Sequence, residues 1–427
     1  MAAATRGRNV IYAQSGGVTS VINASAYGVI EAVRENQAFA GVFAGLDGIN
    51  GVLEENLIDL RQEAPEAIRA LRYTPAGAFG SCRRKLQDLE KNRAEFQRII
   101  EVCAAHDVGA FLYNGGNDSM DTVAKLAAFA KAQGYPLRAI GIPKTIDNDL
   151  PVTDNCPGFG SVAKYNAVSM MEASLDTASM SRDSTKVFVL ETMGRNAGWI
   201  AAATGLASRS DEEGPHLILL PEVPFDPNGF LQAVAGSVAK HGICAVTVSE
   251  GLQDDKGRFV SEVGGQDAFG HTQLGGVGQY IQELVKRETK LKVHGAVLDY
   301  CQRSARHAAS ATDVAQAIAC GEHAVALAEQ GLSGVMVTIQ RTAQRPYQWA
   351  LSHTDAADIA NQEKVLPAEM IREDRLHITK KFRDYCLPLI QGEDEPPYEN
   401  GLPAYRRMKK ALAPKKLSPF KPVKGGA

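Results

Sequence analysis

The sequence predicts an α/β protein with two doubly wound lobes built on mainly parallel sheets, and three observations carry that prediction. Short β-branched runs alternate along the chain with segments of helical period. Those runs are apolar throughout rather than every second residue, the pattern of parallel strands covered on both faces. Glycines gather at the ends of the runs, where a strand must turn into a helix. Forty glycines in 427 residues exceed the ~7% of an average chain.

In order, a strand in Asn9–Gly17 precedes a helix over residues 21–33. A second strand, 41–45, precedes a long amphipathic stretch over 85–105. Strand 110–116 leads into a helix over 119–132, and strand 138–143 leads into a loop. The alternation resumes with strands at 186–192, 216–221 and 244–250. Residues 367–387 read as a helix, with Pro367 at its start and Pro388 just past its end. These elements divide into a first lobe of residues 1–158 plus 304–350 and a second of 159–303. A helical C-terminal extension, 351–427, ends in a basic tail with Lys415, Lys416, Lys421 and Lys424, which reads as solvated chain.

Composition excludes several classes. Lys plus Arg number 46 against 49 Asp plus Glu, so the basic excess of a nucleic-acid binder is missing. No apolar run approaches the ~20 residues of a membrane span, and the N-terminus has no signal-peptide apolar region. Seven scattered cysteines lack C-x-x-C spacing and read as incidental thiols of a reducing compartment. A cytoplasmic location is expected, with no membrane or nucleic-acid partner.

In open α/β sheets ligands bind at the carboxyl ends of strands, so the strand-end loops are the places to inspect. Ser15-Gly16-Gly17 joins a strand to a helix; it is either a tight turn or a phosphate cradle. It matches neither the dinucleotide nor the P-loop fingerprint. The turn Asn114–Asp121 adds Asn117, Asp118 and Ser119 to a glycine pair, which suits either helix capping or a Mg²⁺ or phosphate site. Lys144-Thr145-Ile146-Asp147-Asn148-Asp149 packs a cation, a hydroxyl and two carboxylates into six positions. That is either a solvated turn or a phosphoryl-transfer centre with a proton acceptor, a metal-side carboxylate and a phosphate-holding lysine. Arg195, beside Gly194, and Arg83 are candidate phosphate ligands, since guanidinium forks match phosphate oxygens.

Taken together, Ser15-Gly16-Gly17, Gly115-Gly116-Asn117-Asp118, Thr145–Asp149, Met193-Gly194-Arg195 and Gln302-Arg303 resemble the phosphofructokinase family, in order from about residue 9 to 340. The resemblance implies a two-lobed α/β fold and phosphorylation of fructose 6-phosphate at its 1-hydroxyl. It implies that Asp147 is the proton acceptor, with Thr145 beside it, and that Arg195 stabilises the transferring phosphoryl group. Met193 and Gly194 would line the sugar-phosphate site, Glu250 would meet the sugar hydroxyls, and Tyr300 and Arg303 would hold the 6-phosphate. Gly17 and Arg83 would contact the donor. The first lobe then binds the phosphoryl donor and the second the sugar phosphate.

Asp118 and Lys144 resemble the diphosphate-dependent members, where ATP-dependent members carry glycine at both places. A carboxylate at Asp118 repels the α-phosphate of a nucleotide, while Lys144 compensates a compact diphosphate. The expected reaction is a reversible transfer from diphosphate with Mg²⁺ as cofactor; the alternatives are an ATP-dependent enzyme or a non-catalytic regulatory subunit of the same fold. The sequence departs from the family pattern in three places. The usual acidic metal ligand is Asn117, so Mg²⁺ would lean on Asp118 or Asp149. The cationic position contributed across a subunit boundary is matched by Lys186, which implies a homodimer or homotetramer. An arginine upstream of Tyr300 is missing, with Lys292 and His294 nearby.

Overall fold

A computed structural model describes residues 7–86, 88–260, 262–266, 272–274 and 276–420. The elements begin with β1 (Arg8–Gln14), α1 (Ile22–Glu35), β2 (Phe39–Gly45), α2 (Ile49–Leu53), β3 (Leu57–Asp59), α3 (Pro65–Ala70) and α4 (Arg93–Ala105). They continue with β4 (Val108–Gly115), α5 (Asn117–Ala132), β5 (Arg138–Pro143), α6 (Phe159–Met180), β6 (Val187–Thr192), α7 (Trp199–Ala203) and β7 (Leu217–Leu219). Next come α8 (Pro227–His241), β8 (Cys244–Ser249), β9 (Glu262–Gln266), β10 (Thr272–Leu274), α9 (Val277–Thr289), β11 (Val293–Val297) and α10 (Asp299–Ser304). The chain ends through α11 (Ala311–Glu329), β12 (Val335–Gln344), β13 (Tyr347–Asp355) and α12 (Lys380–Cys386).

Two main sheets result. The larger has seven strands in the order β13-β12-β5-β4-β1-β2-β3, parallel from β12 to β2 and antiparallel at both edges. The smaller, β11-β6-β8-β7, is parallel throughout. Successive residues of β1 and β4 enter different cores: Ile11, Ala13, Phe111 and Tyr113 pack on one face, Val10, Tyr12, Ala110 and Leu112 on the other. Burial on both faces is why these strands read as continuous apolar runs.

Three expectations need correction. The helix expected over 85–105 exists only as α4, from Arg93. Residues before it are drawn to the end of β1, where the Gly16 N–H donates to Cys82 O at 2.9 Å, and Gly80 turns with φ +77°. The C-terminal extension is not mainly helical. Between Met370 and Thr379 the backbone pairs across itself, Arg372 N–H to His377 O at 2.8 Å and Thr379 N–H to Met370 O at 2.9 Å, leaving only α12. That cross-pairing buries Met370 and Ile378 beside Trp199 and Phe382, a tertiary gain that outweighs helix propensity. The start of the extension, placed at 351, falls inside β13.

The basic tail is partly docked. The backbone N–H groups of Lys416 and Leu417 donate to the buried Glu55 carboxylate, and the Lys415 and Lys416 ammoniums reach carbonyls of Glu54 and Ala105. Lys421 and Lys424 lie outside the described residues. Six of the seven cysteines are buried thiols and Cys301 is exposed. Among the described residues no helix is long and apolar enough to cross a membrane.

Candidate active site

Strand register sets the site. Gln14 of β1 lies opposite Asn114 of β4, and Gly115 opposite Pro143 of β5, so three strand ends and the loops beyond them stand side by side. At the first, Gly16 takes φ +74°, a conformation that suits glycine. At Gly17 a Cβ would stand 3.0 Å from Nη1 of Arg303 and 3.9 Å from Nη2 of Arg83, so the missing side chain lets backbone meet two guanidiniums. Lys144 is buried and donates from Nζ to Gly17 O at 2.6 Å. Burial pushes its ammonium down to about 8, against the pull of Asp149 and Asp147, with Arg303 and Arg83 pushing further down.

The loop after Lys144 holds the two carboxylates. Thr145 Oγ1 accepts from the Asp147 N–H at 3.0 Å, and its hydroxyl donates to Asp149. Between them Asn148 is fully buried and left-handed, with φ +55°. Its amide donates to Tyr385 Oη at 2.8 Å and accepts from the Cys156 N–H at 3.0 Å. The Asp147 carboxyl is pushed well above the usual range by burial first, then by Asp149 and Glu250, with Lys144 and Arg195 opposing. Asp149 is raised too, mainly by burial, with Glu363 adding to it. Its Oδ1 is buried without a hydrogen-bond partner.

That orphaned oxygen tests the fit of a metal. Mg²⁺ at phosphates keeps several waters and takes one or two carboxylates, so no three-ligand protein cage is needed. Among the described residues there is none. Asp149, close enough to Asp147 to raise its carboxyl, offers with it hard oxygen donors whose charge wants a cation, and the residues fit. Asp118 is instead engaged with Lys85 Nζ at 2.6 Å, and Asn117 Oδ1 accepts from the Asp118 N–H at 2.7 Å.

Across the cleft, β6 and β8 end together at Thr192 and Ser249. Gly194 adopts φ +120°; its N–H points to Glu250 Oε1 at 3.4 Å and its carbonyl accepts from Ser249 Oγ at 2.5 Å. Gln302 Oε1 accepts from the Met193 N–H at 3.2 Å and from Asn166 at 3.0 Å, fixing the turn that carries Arg195. Arg195 lies close enough to oppose the burial-driven rise of both Asp147 and Glu250.

The family profile described as Phosphofructokinase matches residues 9–328. The chain belongs to the phosphofructokinase family. A pyrophosphate–fructose 6-phosphate 1-phosphotransferase of Methylococcus capsulatus is 56% identical over 412 residues, covering 96% of this chain and 98% of its own. One of the same name from Halomonas elongata is 55% identical, covering 97% and 99%. The crystal structure of a pyrophosphate-dependent phosphofructokinase from Nitrosospira multiformis superposes with a TM-score of 0.90 at 53% identity, covering 97% of this chain and all of that one.

Within this phosphofructokinase fold the cleft brings together Gly17, Arg83, Lys144, Thr145, Asp147, Asp149, Arg195, Glu250 and Arg303. Lys186 is not among them. It precedes β6, roughly 20 Å of strand rise from Arg195, and its ammonium donates to Ser181 and Arg182 carbonyls. Tyr300 is 63% exposed, with the Arg303 guanidinium 3.9 Å above its ring. Arg303 thus sits between Tyr300 and the donor loop. His294 is exposed and Lys292 donates to Ser184 Oγ, both at the far end of β11.

Sequence reasoning missed one segment altogether. Residues 361–364 cross the cleft from the C-terminal extension: Lys85 donates to Asn361 Oδ1 at 3.1 Å and Asn196 to Glu363 Oε1 at 2.9 Å. Lys364 N–H reaches Asp149 O at 2.7 Å, and Trp199 Nε1 reaches Lys364 O at 2.8 Å. No local pattern in Asn-Gln-Glu-Lys signals this.

Proposed function

We propose that the chain catalyses reversible, Mg²⁺-dependent phosphoryl transfer from diphosphate to the 1-hydroxyl of fructose 6-phosphate, giving fructose 1,6-bisphosphate and phosphate, as a cytoplasmic step of glycolysis. Residues 1–158 with the chain from 304 through the end of β13 form the donor lobe and 159–303 the sugar-phosphate lobe. Asp147 accepts the hydroxyl proton as the sugar oxygen bonds to phosphorus. The bridging P–O bond breaks and phosphate leaves. A carboxylate with a raised pKa suits a general base working near neutral pH. Arg195 faces the charge that spreads over the transferring group. Gly17, Arg83 and Lys144 hold the donor, Met193, Gly194 and Glu250 the sugar, and Tyr300 with Arg303 its 6-phosphate. Asp149 would hold Mg²⁺, assisted by Asn117 or Asp118, and the ion when bound would neutralise diphosphate charge.

The observation that carries the donor assignment is Lys144, a buried cation on the Gly17 carbonyl beside two aspartates. It suits a small, highly charged ligand, and the relatives' names point the same way. The test compares diphosphate with ATP at saturating Mg²⁺. Turnover with diphosphate is expected; turnover with ATP alone would overturn the reading.

A further inference from the structure

The loop that carries Asp147 and Asp149 follows β5 of the larger sheet, and the turn that carries Arg195 follows β6 of the smaller one. Phosphoryl transfer needs the two at one fixed separation, since a misplacement of about 1 Å at reacting groups can cost ~100-fold in rate. A short piece of the C-terminal extension, residues 364–366, is bonded to both.

Toward the larger sheet, Lys364 N–H donates to Asp149 O at 2.7 Å, and Lys364 Nζ donates to Thr153 O at 3.1 Å and Asp154 O at 3.0 Å. That loop is itself tied to β12: Asp154 N–H donates to Ile339 O at 2.8 Å, and Ile339 N–H to Thr153 Oγ1 at 2.9 Å. Toward the smaller sheet the joint is Glu222, just past β7. Its Oε1 accepts from Leu366 N–H at 2.9 Å and from Gly198 N–H at 2.8 Å, three residues beyond Arg195. A Cβ on Gly198 would stand 2.5 Å from Glu222 Oε2, so the glycine is what lets the carboxylate reach the turn. Trp199 adds a second tie: its Nε1 donates to Lys364 O at 2.8 Å, and the Lys364 ammonium lies 5.4 Å from the ring centroid. The Asn196–Glu363 bond runs alongside, but both residues are exposed and water competes for the same groups.

We infer that Glu222 and Lys364 are positioning residues: with residues 364–366 they form a strut that sets the Arg195 turn against the aspartate loop. The inference rests on the roles given above to Asp147 and Arg195 and adds what keeps them in register. Glu222 works here as a shared acceptor for two N–H groups, not as a charge seen by substrate. An amide oxygen can accept the same two bonds, which separates position from charge.

Glu222→Ala cuts the joint and Glu222→Gln keeps it. In steady-state transfer from diphosphate to fructose 6-phosphate, Glu222→Ala is expected to lower kcat about 10–100-fold. Glu222→Gln should stay within about 3-fold of wild type. Calorimetric binding of each substrate alone should hold within about 2-fold, because Met193 and Gly194 keep their own bonds to Gln302, Glu250 and Ser249. The decisive readout is a double-mutant cycle. In an Arg195→Lys background, where placement of the guanidinium is already lost, Glu222→Ala should cost no more than about 3-fold further. A loss that multiplies in full, a glutamine variant as slow as the alanine variant, or an unchanged kcat in Glu222→Ala overturns the strut. Should Glu222→Ala fail to fold, Lys364→Met keeps the aliphatic stem, loses the ammonium bonds and takes its place in the same cycle, with kcat expected to fall about 3–10-fold. An unchanged kcat there overturns the strut as well. If Asp147→Asn and Arg195→Lys themselves leave kcat at the wild-type value, the reading of the site falls and the strut with it, an outcome distinct from the strut failing alone.

Discussion

The two sides of the cleft are finished to different degrees. The donor side is complete within one chain: Lys144 is buried, Gly17 is framed by two arginines, and residues 361–364 close the edge. The sugar side is open. Tyr300 is exposed, β11 is exposed along most of its length, Val297 is 56% exposed, and Lys186 is remote. On α6, Val168, Leu175 and Met180 also face outward. A site walled on one side and bare on the other, beside exposed apolar residues, fits a pocket completed by a second copy.

The seam between the two sides is Asp147, and its loss should have the largest effect. Asp147→Asn keeps the shape and removes the base, so kcat should fall by ~10²–10⁴-fold in a steady-state assay. Stability should move the other way. The folded-state pKa of Asp147 is raised, so between the unfolded value near 4 and that raised value the native state binds the extra proton. Stability from this group is therefore lost as pH rises through that window. The asparagine variant should melt a few degrees higher than wild type at pH 8, and the gain should shrink toward pH 5. A variant that melts lower at pH 8 would mean that Lys144 and Arg195 already compensate the charge.

Lys186 tests the open side. If a second copy supplies it, Lys186→Ala should raise KM for fructose 6-phosphate about 10-fold, in line with one lost charge-assisted bond, and leave KM for diphosphate in place. Mixing Lys186→Ala with Asp147→Asn subunits should then restore part of the lost activity, because some mixed sites combine an intact Asp147 with an intact Lys186. Without restoration, the sugar side is complete within one chain and the contrast fails.

How much of this was legible beforehand follows from where the signal lies. The parallel strands β1, β2, β4, β5, β6, β7 and β8 showed because buried parallel strands are apolar along nearly their whole length. The carboxylate loop showed because Thr145, Asp147 and Asp149 crowd chemistry into five residues. The β12–β13 hairpin did not, since β13 alternates exposed and half-buried residues at a sheet edge. Lys85 was hidden inside a run with helical period, and its partner Asn361 is 276 positions away. Asn148 sat in plain view between the aspartates, but Tyr385, 237 residues on, explains it. Long-range polar contacts leave no local pattern to read.

Tyr385 gives the smallest effect and the finest test of the closed side. Its hydroxyl accepts from the Asn148 amide at 2.8 Å and donates to Asp154 O at 2.7 Å, clamping the left-handed residue that separates Asp147 from Asp149. The ring is packed against Trp199 and Phe382, so Tyr385→Phe keeps the packing and removes only the two bonds. Losing them should cost about 0.5–1.5 kcal/mol, read as a fall in kcat of up to about 10-fold. Because the clamp touches neither Gly194 nor Glu250, KM for fructose 6-phosphate should hold. Asn148→Gly, which keeps the backbone free to stay left-handed but loses the same bond, should give a similar fall in kcat. A KM for fructose 6-phosphate that shifts as much as kcat would mean that the carboxylate loop serves both sides equally, and the division of the cleft into a closed and an open half would no longer describe it.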